Sequence, residues 1–284
     1  MGKVILYKLL MGVWSLGFIS GTHIVGPEAT EEVSPEVIIE KPIVSEQPEL
    51  YKKWARISSE WDEIFEQPEE YPENLLKNLK RNPEILDFVY EYPDASLTVN
   101  GGMTEEEKAA DCPLFIQWDS RWGYFPYGSY NIGISGCGPT CLSMVIYSFL
   151  EDETATPDVL ADIAMDGGYY VKDAGTAWTF LVNVPQQYGL DVKQYPSLDE
   201  NGMVECLEND GLMIGSMSPG DFTDTGHFIV ICGYEDGEFM VNDPFSYTNS
   251  YKTWDYETLA GQMKQVWCYS YNEEQQESVF TSGN

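Results

Sequence analysis

Hydrophobic residues change their period along this chain, and the change marks its architecture. After Cys137, Leu142, Val145, Ile146, Phe149 and Leu150 recur at steps of three and four, which predicts a helix with one buried face. Pro139 suits the first turn, because its missing N–H would be unpaired there anyway and its fixed φ already matches the helix. The helix is therefore expected to start close to Cys137. Val159, Leu160, Ile163 and Ala164 form a second stripe after Thr156-Pro157, which reads as a cap and first turn, and Gly167-Gly168 ends it. Two further helices are expected, from about Thr176 to Tyr188 with Pro185 as a defect, and from about Asn201 to Leu207.

Beyond Leu207 the character changes. Leu212 to Met217, Phe228 to Tyr234, Phe239 to Asn242 and Gln265 to Tyr271 are short runs rich in aromatic and β-branched residues, with Glu235-Asp236-Gly237 as a hairpin turn. They are predicted to be strands of one sheet. Helices first and antiparallel hairpins afterwards indicate an α+β domain of two lobes. Its opening stretch, Pro113 to Gly123, reads as a strand entering a turn.

The N-terminal part has another texture. Lys3 and Lys8 flank an apolar run, Leu9 to Ile19, that is short for a bilayer span and is followed by Ser20 and Gly21. Residues 1–26 are thus expected to be an export signal, or an uncleaved anchor if Val4 to Ile24 insert together. Residues 27–50 are rich in Glu, Pro and Val without a period, the composition of an extended acidic linker. Residues 51–110 carry three short helical patterns, Ser59 to Phe65, Pro72 to Arg81 and Pro83 to Tyr90, and form a helical extension expected to pack on the main domain. The main domain spans 111–271, and 272–284 is a polar tail.

Charge narrows the partners. With 47 acidic and 15 basic residues among 284, the formal charge is -32. Nucleic acid is excluded as a partner because its phosphates need Lys and Arg, and an anionic membrane surface is excluded likewise, so the membrane is met only through the N-terminal segment. Such a charge favours a soluble monomer.

The candidate chemistry starts from Cys137, in Gly136-Cys137-Gly138-Pro139. A helix N-terminus favours a thiolate, and the flanking glycines leave the sulfur open to a substrate backbone. Only two histidines are present, and His23 falls in the export segment, so imidazole chemistry in the folded domain rests on His227. It heads the strand Phe228 to Cys232, where a side chain can project into a cleft. If the next hairpin has its natural register, Asp243 comes near His227 and fixes its tautomer. The set is a nucleophile, its base and the carboxylate that orients the base.

These stretches, Ser135 to Val145, Gly226 to Tyr234 and Asn242-Asp243-Pro244, resemble the papain-like cysteine peptidases of the double-glycine, bacteriocin-processing type. The similarity is to the stand-alone branch of peptidase family thirty-nine, often exported by Gram-positive bacteria, and covers roughly Pro113 to Tyr271. The resemblance implies a two-lobed papain-like fold, its helical lobe carrying the cysteine and its antiparallel sheet the histidine and aspartate. It assigns Cys137 as nucleophile, His227 as base and Asp243 as orienter, and makes the substrate a peptide or protein. Relatives use a glutamine shortly before the cysteine for the oxyanion. Asn131 stands at that distance here, whereas Gln117 resembles the glutamine of the stand-alone branch and takes the role, with Asn131 as its substitute. The chain lacks a Gly-x-x-x-x-Gly-Lys-Ser/Thr loop and any long set of spans, so no attached transporter is expected.

Neither cofactor nor metal is expected. Cys137 and Cys141 lie in a Cys-x-x-x-Cys spacing within one helix, a poor zinc pattern without a second pair. Cys112, Cys141, Cys206, Cys232 and Cys268 are expected to be structural thiols. Two other functions remain open on sequence alone: a wall-peptide amidase with the same triad, and an idle surface-binding module.

Overall fold

The computed structural model describes residues 48–99, 101–172 and 174–271. The segment at 1–26 expected to direct export, nearly all of the expected linker and the tail at 272–284 lie outside the described residues. Those described belong to one compact unit that begins at Gln47.

The central element is helix α4 (Cys137–Leu150), preceded in the chain by α1 (Pro48–Glu66), α2 (Glu73–Arg81) and α3 (Leu86–Tyr90). The apolar stripe predicted one buried face, but every residue of α4 from Gly138 to Tyr147 is buried. Its polar positions survive burial because each finds a carbonyl: Thr140 Oγ1 donates to Gly136 O at 2.8 Å, and Ser143 Oγ donates to Ala155 O. Helix α5 (Pro157–Asp166) packs beside it, although Thr156 makes no side-chain cap. Helix α6 (Phe180–Gln187) holds Pro185 and starts later than expected, since Gly175 and Thr176 pair with Tyr170 and Val171 in a two-stranded ladder. Two more helices, α7 (Glu200–Glu208) and α8 (Tyr256–Gln262), follow.

The sheet has six strands: β1 (Asp191–Tyr195), β2 (Leu212–Met217), β3 (His227–Glu235), β4 (Glu238–Asn242), β5 (Thr253–Trp254) and β6 (Met263–Ser270). They lie in the order β1-β6-β2-β3-β4-β5, all antiparallel. Both faces are covered. On one, Leu212, Ile214, Phe228, Val230 and Trp267 join the residues of α4, α5 and α6 in the main core. On the other, Met213, Ile229, Ile231, Val241 and Val266 pack with Met203 of α7 and Leu259 of α8. This double burial is why β2 reads as a continuous apolar run.

Two bulges break the ladder. In the β3-β4 hairpin Ile231 pairs with Val241 but Gly233 pairs with Met240, leaving Cys232 as an extra residue. In β6 Met263 pairs with Met217 and Gln265 with Ser216, so Lys264 is extra. A one-residue slip exchanges the faces of everything beyond it, so both bulges re-aim side chains.

The first three helices fold onto the domain. Helix α1 starts at Pro48 and not at Ser59, since Pro48 suits a first turn and the run from Glu49 to Ser58 holds no glycine and no second proline to break a helix. Ile64, Leu75, Leu79, Ile85, Phe88 and Val89 form a third core with Tyr124, and Trp118, Ile134 and Phe245 of the main domain pack against it. Phe88 stacks on Tyr124 with ring centroids 4.4 Å apart, and Tyr124 Oη donates to Phe88 O.

Candidate active site

Cys137 is the first residue of α4 and follows directly on a short helical turn, Ile132–Ser135. Space explains the glycines between and after. A Cβ at Gly136 would come within 2.7 Å of Ile132 O, and one at Gly138 within 2.5 Å of Thr176 Oγ1, whose hydroxyl is hydrogen-bonded to Tyr127 Oη at 2.7 Å. The chain therefore turns tightly enough to leave Cys137 half-buried at the helix start. Cys141, one turn on, is fully buried with Sγ 3.3 Å from Phe228 O, and burial pushes its thiol up.

His227 opens β3 and is 9 % exposed. Its Nε2 lies 2.7 Å from Oδ1 of Asp243, which is fully buried. The bulge at Cys232 decides this pairing. Counted back from the Glu235–Glu238 pair without an extra residue, Asp243 would fall on the opposite face of the sheet from His227; the slip returns it to the face of Ile229 and Val241. The expectation of a simple hairpin register is thus corrected, because an unbulged ladder would have turned the carboxylate away.

The carboxylate is well anchored. Oδ1 also accepts from Phe245 N at 2.8 Å, and Oδ2 accepts from Asn249 Nδ2 at 2.8 Å. Asp243 N donates to Ser250 Oγ at 2.9 Å. Burial by itself would lower the proton affinity of the His227 ring, but the Asp243 carboxylate outweighs it, and Cys137 adds to the effect. The ring is pushed up to about 10.

Gln117 is 2 % exposed and reaches the same cleft. Its Nε2 donates to Gly133 O at 2.9 Å and more weakly to Ile132 O at 3.4 Å, while Oε1 is buried without a partner among the described residues. Its main-chain N–H donates to Pro244 O at 2.7 Å, so one residue links the approach to Cys137 with the loop after Asp243. Asn131 is turned elsewhere: its Oδ1 accepts from Ile134 N at 3.0 Å and caps the turn before Cys137.

Cys137, His227 and Gln117 line one cleft of about 750 Å³. Several residues around it were not legible as site residues. Asn249 is one; a weak signal was Ser246, which caps the turn Tyr247–Ser250 by accepting from Asn249 N. Trp118 Nε1 and Asn82 Nδ2 both donate to Phe245 O, at 2.9 and 2.7 Å, and Glu84 accepts from Tyr247 N and Thr248 N, so the α2–α3 region grips the loop after Asp243. Among the described residues no group of three or more His, Cys, Asp or Glu is arranged to hold a metal.

Solved structures similar to this chain include a putative C39-like peptidase from Bacillus anthracis, 11% identical over 61% of this chain and 99% of that one, with a TM-score of 0.39. The peptidase domain of Streptococcus ComA, a bi-functional ABC transporter involved in a quorum sensing pathway, is 13% identical over 49% of this chain and 93% of its own, with a TM-score of 0.35. A double glycine motif protease from an AMS/PCAT transporter, in complex with the leader peptide, is 15% identical over 48% and 86%, with a TM-score of 0.31. No curated protein matches the chain. Residues 110–275 match the Peptidase_C39 like family model, which spans both the helix that Cys137 begins and the strand that His227 begins, and the chain belongs to that family of cysteine peptidases.

Proposed function

We propose that this chain hydrolyses peptide bonds by thiol-dependent acyl transfer, with Cys137 as nucleophile, His227 as acid and base, and Asp243 as the residue that orients His227. The observation that carries the reading is the 2.7 Å contact between His227 and the buried Asp243, in a cleft shared with Cys137 at a helix start. A ring that keeps its proton up to about 10 stands as imidazolium at neutral pH, which suits a thiolate partner. The thiolate attacks the scissile carbonyl carbon, and the electron pair of the C=O bond moves to oxygen. Collapse of that intermediate expels the amine, which takes its proton from His227, and leaves a thioester. Water then gives a proton to His227 as it attacks the thioester, and the Cys137 thiolate departs from the acid product.

The developing oxyanion is met by the Cys137 N–H and by Gln117. An amide nitrogen carries two hydrogens, and the 3.4 Å contact to Ile132 O is the weaker use of the second, so that hydrogen can serve the oxyanion. Residues 1–26 export the domain, on the strength of the apolar run behind Lys3 and Lys8, and the acidic linker separates it from the membrane. Full-length tagged chain recovered only from the cytoplasm on fractionation would reject export. For the chemistry the decisive experiment is covalent labelling with iodoacetamide together with peptide hydrolysis. Labelling at residue 137 and hydrolysis are both expected in the wild type and neither in Cys137→Ala, whatever Cys112, Cys206 and Cys268 take up; hydrolysis that persists in Cys137→Ala rejects the mechanism.

A further inference from the structure

One wall of the cleft is supplied from outside the matched family region. Asn74, Lys77, Asn78 and Arg81 line it, all on α2, whereas the family match begins at residue 110. Their spacing of three, four and seven puts them on one helix face, while Leu75 and Leu79 turn the other face into the third core. Helix α2 is therefore fixed in place as part of the cleft by its own packing and by the bonds of Asn82 to the loop after Asp243.

The cations on this wall differ in how far they are committed. Arg81 is spent on the domain: it pairs with Asp224 at 3.0 Å and donates to Gly220 O at 3.2 Å. Among the described residues Lys77 pairs only with Glu73, one turn back, where both side chains are largely exposed, and a pair of that kind holds weakly. Lys264, the extra residue of the β6 bulge, lines the same cleft and makes no ion pair among the described residues. Bulges re-aim a side chain, and here the side chain re-aimed is a lysine without a counter-charge.

Two weakly held cations lining the cleft that Cys137 also lines stand out in a chain with 15 basic and 47 acidic residues. We propose, on the peptidase reading above, that Lys77 and Lys264 make this cleft selective for peptides that carry a carboxylate side chain close to the scissile bond. The overall negative charge does not oppose this at contact range. Salt at physiological strength screens the field of distant surface charges beyond about 8 Å, whereas a carboxylate bound in the cleft would meet the two lysines that line it at shorter range.

The test uses peptide sets that carry Glu or Gln at each position in turn, side chains alike in shape and different in charge. Cleavage (kcat/KM) is measured in the full chain and binding (Kd) in its Cys137→Ala form, so selectivity is read whether or not the chain turns over. At the selected position Glu is expected to exceed Gln by about tenfold, falling to about threefold in Lys264→Gln and close to one in Lys77→Gln/Lys264→Gln. Lys193→Gln, which removes the same charge from β1 outside the cleft, keeps the wild-type ratio. A ratio near one in the wild type, or a ratio that survives the double substitution, overturns the inference. Failure of iodoacetamide to label Cys137 would instead remove the peptidase reading, with the binding ratio still deciding the lysines.

Discussion

His227 meets Asp243 through Nε2 and Oδ1 at 2.7 Å, and the meeting depends on Cys232, two residues beyond Val230, bulging out of the hairpin. Burial and the carboxylate pull the ring in opposite directions, and the carboxylate wins. The ring holds its proton up to about 10 in the folded chain, against an ordinary value of 6.5 when exposed on unfolding. Its charged form therefore stabilises the fold in full below pH 6.5, and that contribution is lost as pH rises through 10. In Asp243→Asn the main cause opposing burial is removed and only Cys137 still raises the ring, so the ring should titrate well below 10. NMR titration of the His227 ring should show this drop, and the Tm difference between wild type and Asp243→Asn should shrink as pH rises from 6.5 to 10. Turnover should fall well short of zero in Asp243→Asn, because an amide oxygen still accepts from Nε2.

Cys137 and Cys141 share a helix but not an environment. Cys137 lines the cleft, and Cys141 is packed beneath the sheet against Phe228. Cys137→Ala should abolish iodoacetamide labelling of the peptide that carries position 137, and hydrolysis, without loss of stability. Cys141→Ala should keep both and lower stability by about 1–2 kcal/mol, the scale for removing a buried group of that size. Mass spectrometry of the alkylated chain reads the first pair of outcomes and thermal unfolding the second.

The extension is joined to the domain by a core of its own. Deleting residues 48–95 would expose Trp118, Tyr124, Ile134 and Phe245 and free the loop that holds Asp243. Apolar surface of that kind favours aggregation. The truncated chain should accumulate as insoluble protein or unfold at a clearly lower temperature than the chain with α1 to α3, a comparison made directly by solubility and thermal melts.

Much of the architecture was legible because burial imposes a period. Helix α4 and strands β2, β3, β4 and β6 carry apolar runs that must be covered, and His227 was singled out by being the one histidine outside the export segment. Strand β1 was not legible: Asp191-Val192-Lys193-Gln194-Tyr195 is an exposed edge strand, and its place is set by pairing with β6 and not by its own pattern. The bulges at Cys232 and Lys264 are properties of two strands read together, invisible in either alone. The same holds for Asn249, which becomes a partner of Asp243 only through the turn that Ser246 caps, and for α2, whose polar face looked like a solvated surface until the cleft stood beside it.

Gln117 and Asn131 were rivals for the oxyanion in the sequence, and the structure gives them different work. Asn131 Oδ1 is occupied with Ile134 N, so Asn131→Ala removes a cap and should cost about 1 kcal/mol of stability while turnover falls modestly. Gln117 lies in the cleft with Oε1 unpartnered among the described residues and its nitrogen tethered to Gly133 O. Removing an oxyanion donor lowers turnover by about a hundred- to a thousandfold, because the charge it meets exists only in the transition state. Gln117→Ala should therefore lose turnover on that scale yet react with iodoacetamide at nearly the wild-type rate, since Cys137 and His227 stay together. Single-turnover rates and alkylation rates measured side by side distinguish the two losses. Normal turnover in Gln117→Ala, with a collapse in Asn131→Ala at unchanged Tm, would give the oxyanion to Asn131.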